Sequence, residues 1–133
     1  MHTDQILQTH PRGRDVDTAQ VAELIQSLLD CAQTCTSCAD ACLAEDTVVD
    51  LRRCIRLNQD CADVCLTAAR IASRLTDTDT DTLRSVLNAC EVACRSCADE
   101  CDRHAQMHEH CRVCAEACRR CADLCSQALQ ELS

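Results

Sequence analysis

The chain is 133 residues long, with a formal net charge of −9, 16 cysteines, one glycine, one proline and no aromatic residue. This length suits one domain, and the scarcity of glycine and proline excludes a turn-rich fold in favour of helices. The acidic balance disfavours nucleic acid and anionic membranes as partners. Because the sequence shows neither an export signal nor an apolar run long enough to span a membrane, we expect a cytoplasmic protein with reduced thiols.

Residues 1–16 contain the only proline, Pro11, and the only glycine, Gly13. They are predicted to form a short, loosely ordered N-terminal arm. Asp17 and Gln20 have the spacing of a capping box, which marks the start of the first long helix. The remainder, residues 17–133, is predicted to be one bundle of four helices, which cover about residues 17–44, 47–74, 82–104 and 107–129.

The second half of the chain repeats the first. The segment "CTSCADAC" aligns with "CRSCADEC" at an offset of 59 residues, and "DCADVC" aligns with "RCADLC" at an offset of 60. Each repeat is long enough for a helical hairpin. Two such hairpins related by duplication predict an all-α fold, an antiparallel four-helix bundle.

The cysteine spacing alternates between three and four residues, as do the a and d positions of a heptad. The same register continues into apolar residues at one end of the bundle. We therefore expect an apolar end and, opposite it, a tube lined with sulfur that opens at the loops 43–47 and 102–110, here called the mouth. The residues predicted at the apolar end are Val21, Leu24, Leu28, Ala68, Ala72, Leu75, Thr80, Leu83, Leu87, Ala128 and Leu132.

Packing alone explains so many cysteines poorly, because leucine fills a core better and does not oxidise. Disulfides are poorly suited too, since neighbours three or four residues apart on one helix have badly directed Cβ vectors and cytosolic thiols stay reduced. Fifteen of the sixteen cysteines have another three or four residues away, a spacing that favours metal binding. The candidate ligands are Cys31, Cys35, Cys38, Cys42, Cys54, Cys61, Cys65, Cys90, Cys94, Cys97, Cys101, Cys111, Cys114, Cys118, Cys121 and Cys125.

Charge discriminates between metals. Zn²⁺ with four terminal thiolates carries a charge of −2, so four such sites would bury about −8 in a narrow core. Cu(I) is monovalent and takes two or three sulfurs, and the core approaches neutrality when each sulfur bridges two ions. Iron–sulfur clusters also take cysteine ligands, but the usual ferredoxin run with its trailing proline is absent. A lining of sulfur alone therefore favours Cu(I).

A second set of candidate ligands lies at the mouth, where "RHAQMHEHC" contains His104, Met107, His108 and His110. Thioether and imidazole groups hold Cu(I) less tightly than bridging thiolates do. This cluster is predicted to be the place where ions pass between solvent and core. The alternative interpretation is a solvated loop that is rich in histidine.

Asn58 interrupts the cysteine pattern. It occupies the position that Cys118 holds in the second repeat, just as Leu51 occupies the position of Cys111. The amide oxygen of Asn58 is a candidate ligand or a hydrogen-bond partner for a thiolate. The alternative is a lone polar residue that fixes the register of the helices.

Residues 17–132 resemble the bacterial copper storage protein family in its cytosolic, leaderless form. The resemblance rests on the CxxxCxxCxxxC helices, the CADxC repeats and the His/Met cluster. It implies a four-helix bundle that loads many Cu(I) ions on internal thiolates, usually as a homotetramer. It also implies that all sixteen cysteines are core ligands and that His104, Met107 and His108 form the site of ion access.

The predicted function is therefore cytosolic, high-capacity storage or sequestration of Cu(I). No catalysis is expected, because no nucleophile–base pair or phosphate-binding loop indicates an enzyme. The alternatives are a zinc or general thiol-rich metal buffer, a disulfide redox protein and an iron–sulfur electron carrier. The predicted partners are copper ions, further copies of the chain, and an unidentified copper chaperone or efflux protein.

Overall fold

The computed structural model describes residues 1–132, in which every regular element is helical. The helix Thr18–Leu43 packs against the helices Arg52–Ala72 and Glu109–Glu131, and the helix Thr80–Asp102 packs against the same two. The four long helices therefore form the predicted antiparallel bundle. Among the described residues, no helix combines the length and the apolar character needed to cross a membrane. The α-helices are α1 (His2–Thr9), α2 (Thr18–Leu43), α3 (Arg52–Ala72), α4 (Thr80–Asp102) and α5 (Glu109–Glu131).

The helix boundaries follow the predicted ones closely except at α3. The Asp17 carboxylate accepts a hydrogen bond from the Gln20 backbone N–H at 3.2 Å, which confirms the predicted cap of α2. A 3₁₀ turn, Val48–Leu51, occupies the stretch where the second helix was expected to begin, and α3 starts only after it. The two adjacent valines of this turn lower its α-helical propensity because β-branched side chains are stiff at χ1.

Residues 1–16 are more ordered than the sequence predicted. Helix α1 packs on α2, with Leu7 only 1% exposed and part of the core. The backbone also turns sharply after α1, and a Cβ atom at Gly13 would collide with the carbonyl oxygen of Leu7. Pro11 and Gly13 therefore lie just after a docked helix and do not mark a loose arm. Burying a leucine side chain such as Leu7 contributes roughly 1.5–3 kcal/mol, which favours the docked position of α1.

The apolar end is only partly filled. Leu28 and Leu87 are completely buried, as predicted, and Leu24 is nearly so. Beyond them lies a cleft of about 540 Å³ that is open to solvent. The outermost residues of the predicted register are half-buried or exposed on its walls, namely Val21, Leu75, Thr80, Leu83 and Leu132.

Candidate metal site

All sixteen cysteines are free thiols, and all are buried, Cys38 being 3% exposed and the others 0%. Their heptad spacing directs them to the axis of the bundle from each of its four helices. The chain has no aromatic residue, and the buried side chains between the apolar end and the mouth are mostly cysteine and alanine. The predicted sulfur-lined tube is present.

At the inner end of the tube, thiols from all four bundle helices meet. The sulfur atoms of Cys31, Cys65, Cys94 and Cys121, one from each helix, all lie within 4.8 Å of one another. The Sγ atoms of Cys65 and Cys90 are 3.3 Å apart. Four sulfurs within 4.8 Å of one another are close enough for one small ion to contact several of them.

Neighbouring groups of sulfurs share members along the tube. Cys31 also belongs to a group with Cys35 and Cys118, and these two belong in turn to a third group that contains Cys114. Cys114 then joins Cys38 in a group nearer the mouth. A sulfur that belongs to two groups is placed to bridge two metal ions, the arrangement that lets monovalent soft ions and thiolates approach equal numbers.

Asn58 lies inside the sulfur tube and is 0% exposed. Its Oδ1 accepts hydrogen bonds from the thiols of Cys97 at 2.9 Å and Cys114 at 3.0 Å, and its amide nitrogen donates to the sulfur of Cys54 at 3.6 Å. The structure thus places Asn58 among candidate ligands from three helices, with every polar atom of its side chain partnered.

His110 is the histidine that the structure brings to the sulfurs. Its Nδ1 lies 3.4 Å from the sulfur of Cys38 and 3.7 Å from that of Cys111. Together with Cys42 these residues form a group whose ligand atoms lie within 4.8 Å of one another. A site of three sulfurs and one imidazole nitrogen therefore closes the tube at the mouth.

The other residues of the predicted mouth cluster have different partners. The ring of His108 stacks on that of His110, with centroids 5.5 Å apart. The Nε2 of His104 lies 2.9 Å from a carboxylate oxygen of Glu100. The Met107 side chain is 75% exposed. These three residues lie in the connection between α4 and α5, next to the site at His110 in the chain.

Two carboxylates at the mouth escaped the sequence analysis. Glu100 is 7% exposed and contacts His104, four residues further along the chain, so an i, i+4 search could have found it. Glu45 contacts His108 and His110 across two loops, and local spacing contains no signal for such a contact. The hydrogen bond with His110, and then the nearby charge of His108, lower the pKa of Glu45 below its ordinary value.

Burial keeps the thiol of Cys42, at the mouth, protonated at neutral pH. Desolvation is the main cause that raises the pKa of Cys42, to about 11. The thiolate is the form that binds metal, so a bound ion must displace a proton here. Metal uptake by this core is therefore an exchange of ions for protons.

The helical bundle and its continuous lining of free thiols together place this chain in the class of cysteine-rich metal-binding proteins. The chain belongs to the copper storage protein family, whose model, Csp, matches residues 17–130. The match spans the four bundle helices up to one residue before the end of α5.

Solved structures of a *Streptomyces lividans* protein are similar over nearly the whole chain. Its copper storage protein Ccsp, loaded with 10 copper equivalents, is 52% identical, with a TM-score of 0.92, over 96% of this chain and 98% of that one. A form of that cytosolic protein with five coppers is 55% identical, with a TM-score of 0.83, over 84% and 93% of the two chains. An uncharacterized cysteine-rich protein of *Bacillus subtilis*, YhjQ, is 36% identical over 91 residues, which are 68% of this chain and 79% of the relative.

Proposed function

We propose that this protein stores Cu(I) in the cytoplasm on the sixteen thiols of its bundle core. The observation that carries this proposal is the sharing of cysteines between successive sulfur groups, because shared sulfurs allow bridging and a nearly neutral filled core. The *S. lividans* relative, loaded with several coppers and called cytosolic, supports the same assignment.

Ions enter and leave through the mouth. The His110 site is the first that combines sulfur with nitrogen, and His104, Met107 and His108 lie outside it. Variants of the *S. lividans* protein in which one or two histidines are changed to alanine have been solved, and such side chains suit a transfer site because imidazole releases Cu(I) more readily than bridging thiolates do. Asn58 contributes its amide oxygen where the tube lacks a sulfur.

The protein works without catalysis, as a reservoir. It assembles with further copies of itself, as a tetramer by family resemblance, and exchanges copper with a chaperone or an efflux protein at the mouth. Residues 1–16 are an N-terminal addition to a bundle that begins at residue 17, where the family match also begins. The predicted end of the bundle, Ser133, lies outside the described residues.

Anaerobic titration of the reduced protein with Cu(I) tests the proposal. Saturation should fall on the order of 16–20 ions per chain, from one ion per thiolate and a few at the mouth. Zn²⁺, which takes four ligands, should stop at about four ions. Saturation below about six Cu(I) ions would mean isolated sites and would exclude a storage function.

A further inference from the structure

Glu45 joins the two loops of the mouth through a single oxygen atom. Its Oε2 lies 2.7 Å from the Nδ1 of His108 and 3.0 Å from the Nε2 of His110. Glu45 follows the C-cap of α2, whereas His108 is the N-cap of α5 and His110 lies in its first turn. The two histidines therefore present opposite ring nitrogens to the same acceptor.

This contact determines which nitrogen of each ring is free. A carboxylate only accepts hydrogen bonds, and a neutral imidazole has one N–H and one nitrogen with a lone pair. The N–H must therefore lie on Nε2 of His110 and on Nδ1 of His108. The lone pair of His110 is left on Nδ1, the atom that lies 3.4 Å from the sulfur of Cys38 and 3.7 Å from that of Cys111.

We propose that Glu45 is a positioning residue for copper transfer, which holds the lone pair of His110 toward the outer thiols and that of His108 on Nε2, the atom that lies 3.5 Å from the hydroxyl of Thr47. A carboxylate that fixes the tautomer and orientation of a metal-binding histidine is a general feature of metal sites. The inference rests on the proposed function, because it assigns a role within the mouth through which Cu(I) is loaded.

The histidine tautomers of the metal-free protein give a direct test. In reduced protein with ¹⁵N-labelled histidine, at a pH well above the ordinary imidazole value of about 6.5, NMR should find His110 with its proton on Nε2 and His108 with its proton on Nδ1. In Glu45→Ala both rings should lose this preference. Equal tautomers in the two rings of the wild type, or tautomers unchanged in Glu45→Ala, would overturn the proposal.

Uptake kinetics separate positioning from simple attraction of a cation. Transfer of Cu(I) from a chelator should slow about tenfold or more in Glu45→Ala, within the range for losing the partner of a metal-binding histidine. Glu45→Gln keeps an acceptor oxygen without the charge and should load at close to the wild-type rate. If Glu45→Gln is as slow as Glu45→Ala, charge is what matters and the proposal is wrong.

The neighbouring Asp46 supplies a matched control, since it is exposed and carries the same charge. Asp46→Asn should load like the wild type, and equal slowing in Asp46→Asn and Glu45→Ala would overturn the positioning role. The Cu(I) capacity at saturation distinguishes failure of the Glu45 role from failure of the proposed storage function. If Glu45→Ala changes neither tautomers nor rate while the protein still takes up on the order of 16–20 ions, only the role of Glu45 fails.

Discussion

The amide oxygen of Asn58 accepts a hydrogen bond from the thiol of Cys97 at 2.9 Å, across the core from α3 to α4. The same oxygen accepts from Cys114 of α5 at 3.0 Å. A buried amide with these partners is satisfied before any metal arrives. In the second repeat the equivalent position is Cys118, so one repeat has a fixed hydrogen-bond acceptor where the other has a thiol.

Replacing Asn58 with alanine should destabilise the metal-free protein. The thiols of Cys97, Cys101 and Cys114 lose an acceptor, and the sulfur of Cys54 loses a donor. The expected cost is roughly 1–3 kcal/mol. Urea unfolding of the reduced protein measures this cost. Asn88→Ala, on the exposed face of α4, is the control and should have little effect. Equal stability of the two variants would show that the Asn58 hydrogen bonds contribute nothing.

Changing His104, Met107 and His108 together to alanine should slow the uptake and removal of Cu(I) and leave most of the capacity intact, because the storing thiolates lie deeper. Stopped-flow transfer from a chelator gives the rate, and titration gives the capacity. His2→Ala, at the exposed start of α1, is the control. Loss of most of the capacity, or loading at the wild-type rate, would refute the role assigned to these three residues.

Leu28→Ala should lower stability without changing copper capacity. Leu28 is completely buried at the apolar end and supplies no ligand, so its truncation should cost on the order of 2–5 kcal/mol. The metal-free protein should show the larger effect, because bound copper stabilises the folded state. Leu66→Ala, 47% exposed on α3, is the control. A copper capacity that fell by half with stability unchanged would contradict this separation of roles.

Metal-free, reduced protein should lose stability as the pH rises above about 9. Burial raises the pKa of Cys42 from 9.0 to about 11, so in this interval the unfolded chain releases a proton that the folded chain retains. The folded state then binds more protons, and the free energy of unfolding falls with pH. The contribution is fully present at lower pH. Urea unfolding as a function of pH measures the slope.

Two controls accompany the pH series. Cys42→Ser removes the titrating thiol and should make the fall shallower. Copper-loaded protein should show little dependence over the same interval, because metal has already displaced the thiol protons. A stability of the metal-free wild type that stayed constant up to about pH 11 would show that Cys42 does not titrate as its burial requires.

The sequence by itself determined the bundle and the sulfur lining. Cysteines that alternate three and four residues apart lie on one face of a helix, the face that a bundle buries. The internal repeat indicates two similar helical hairpins. The helix boundaries followed from caps such as Asp17, whose hydrogen bond is local. The residues that form the core were therefore predictable, because the buried face and the boundaries of each helix depend on residues within one or two helical turns.

Only the tertiary structure decided which groups meet across the bundle. It docked α1 through Leu7, left an open cleft at the apolar end, and selected His110 among four candidate ligands at the mouth as the one that contacts sulfur. It also placed Glu45 against two histidines that lie more than 60 residues further along the chain. Periodicity carries no information on such contacts, because they depend on how the helices pack and on the path of each loop between them.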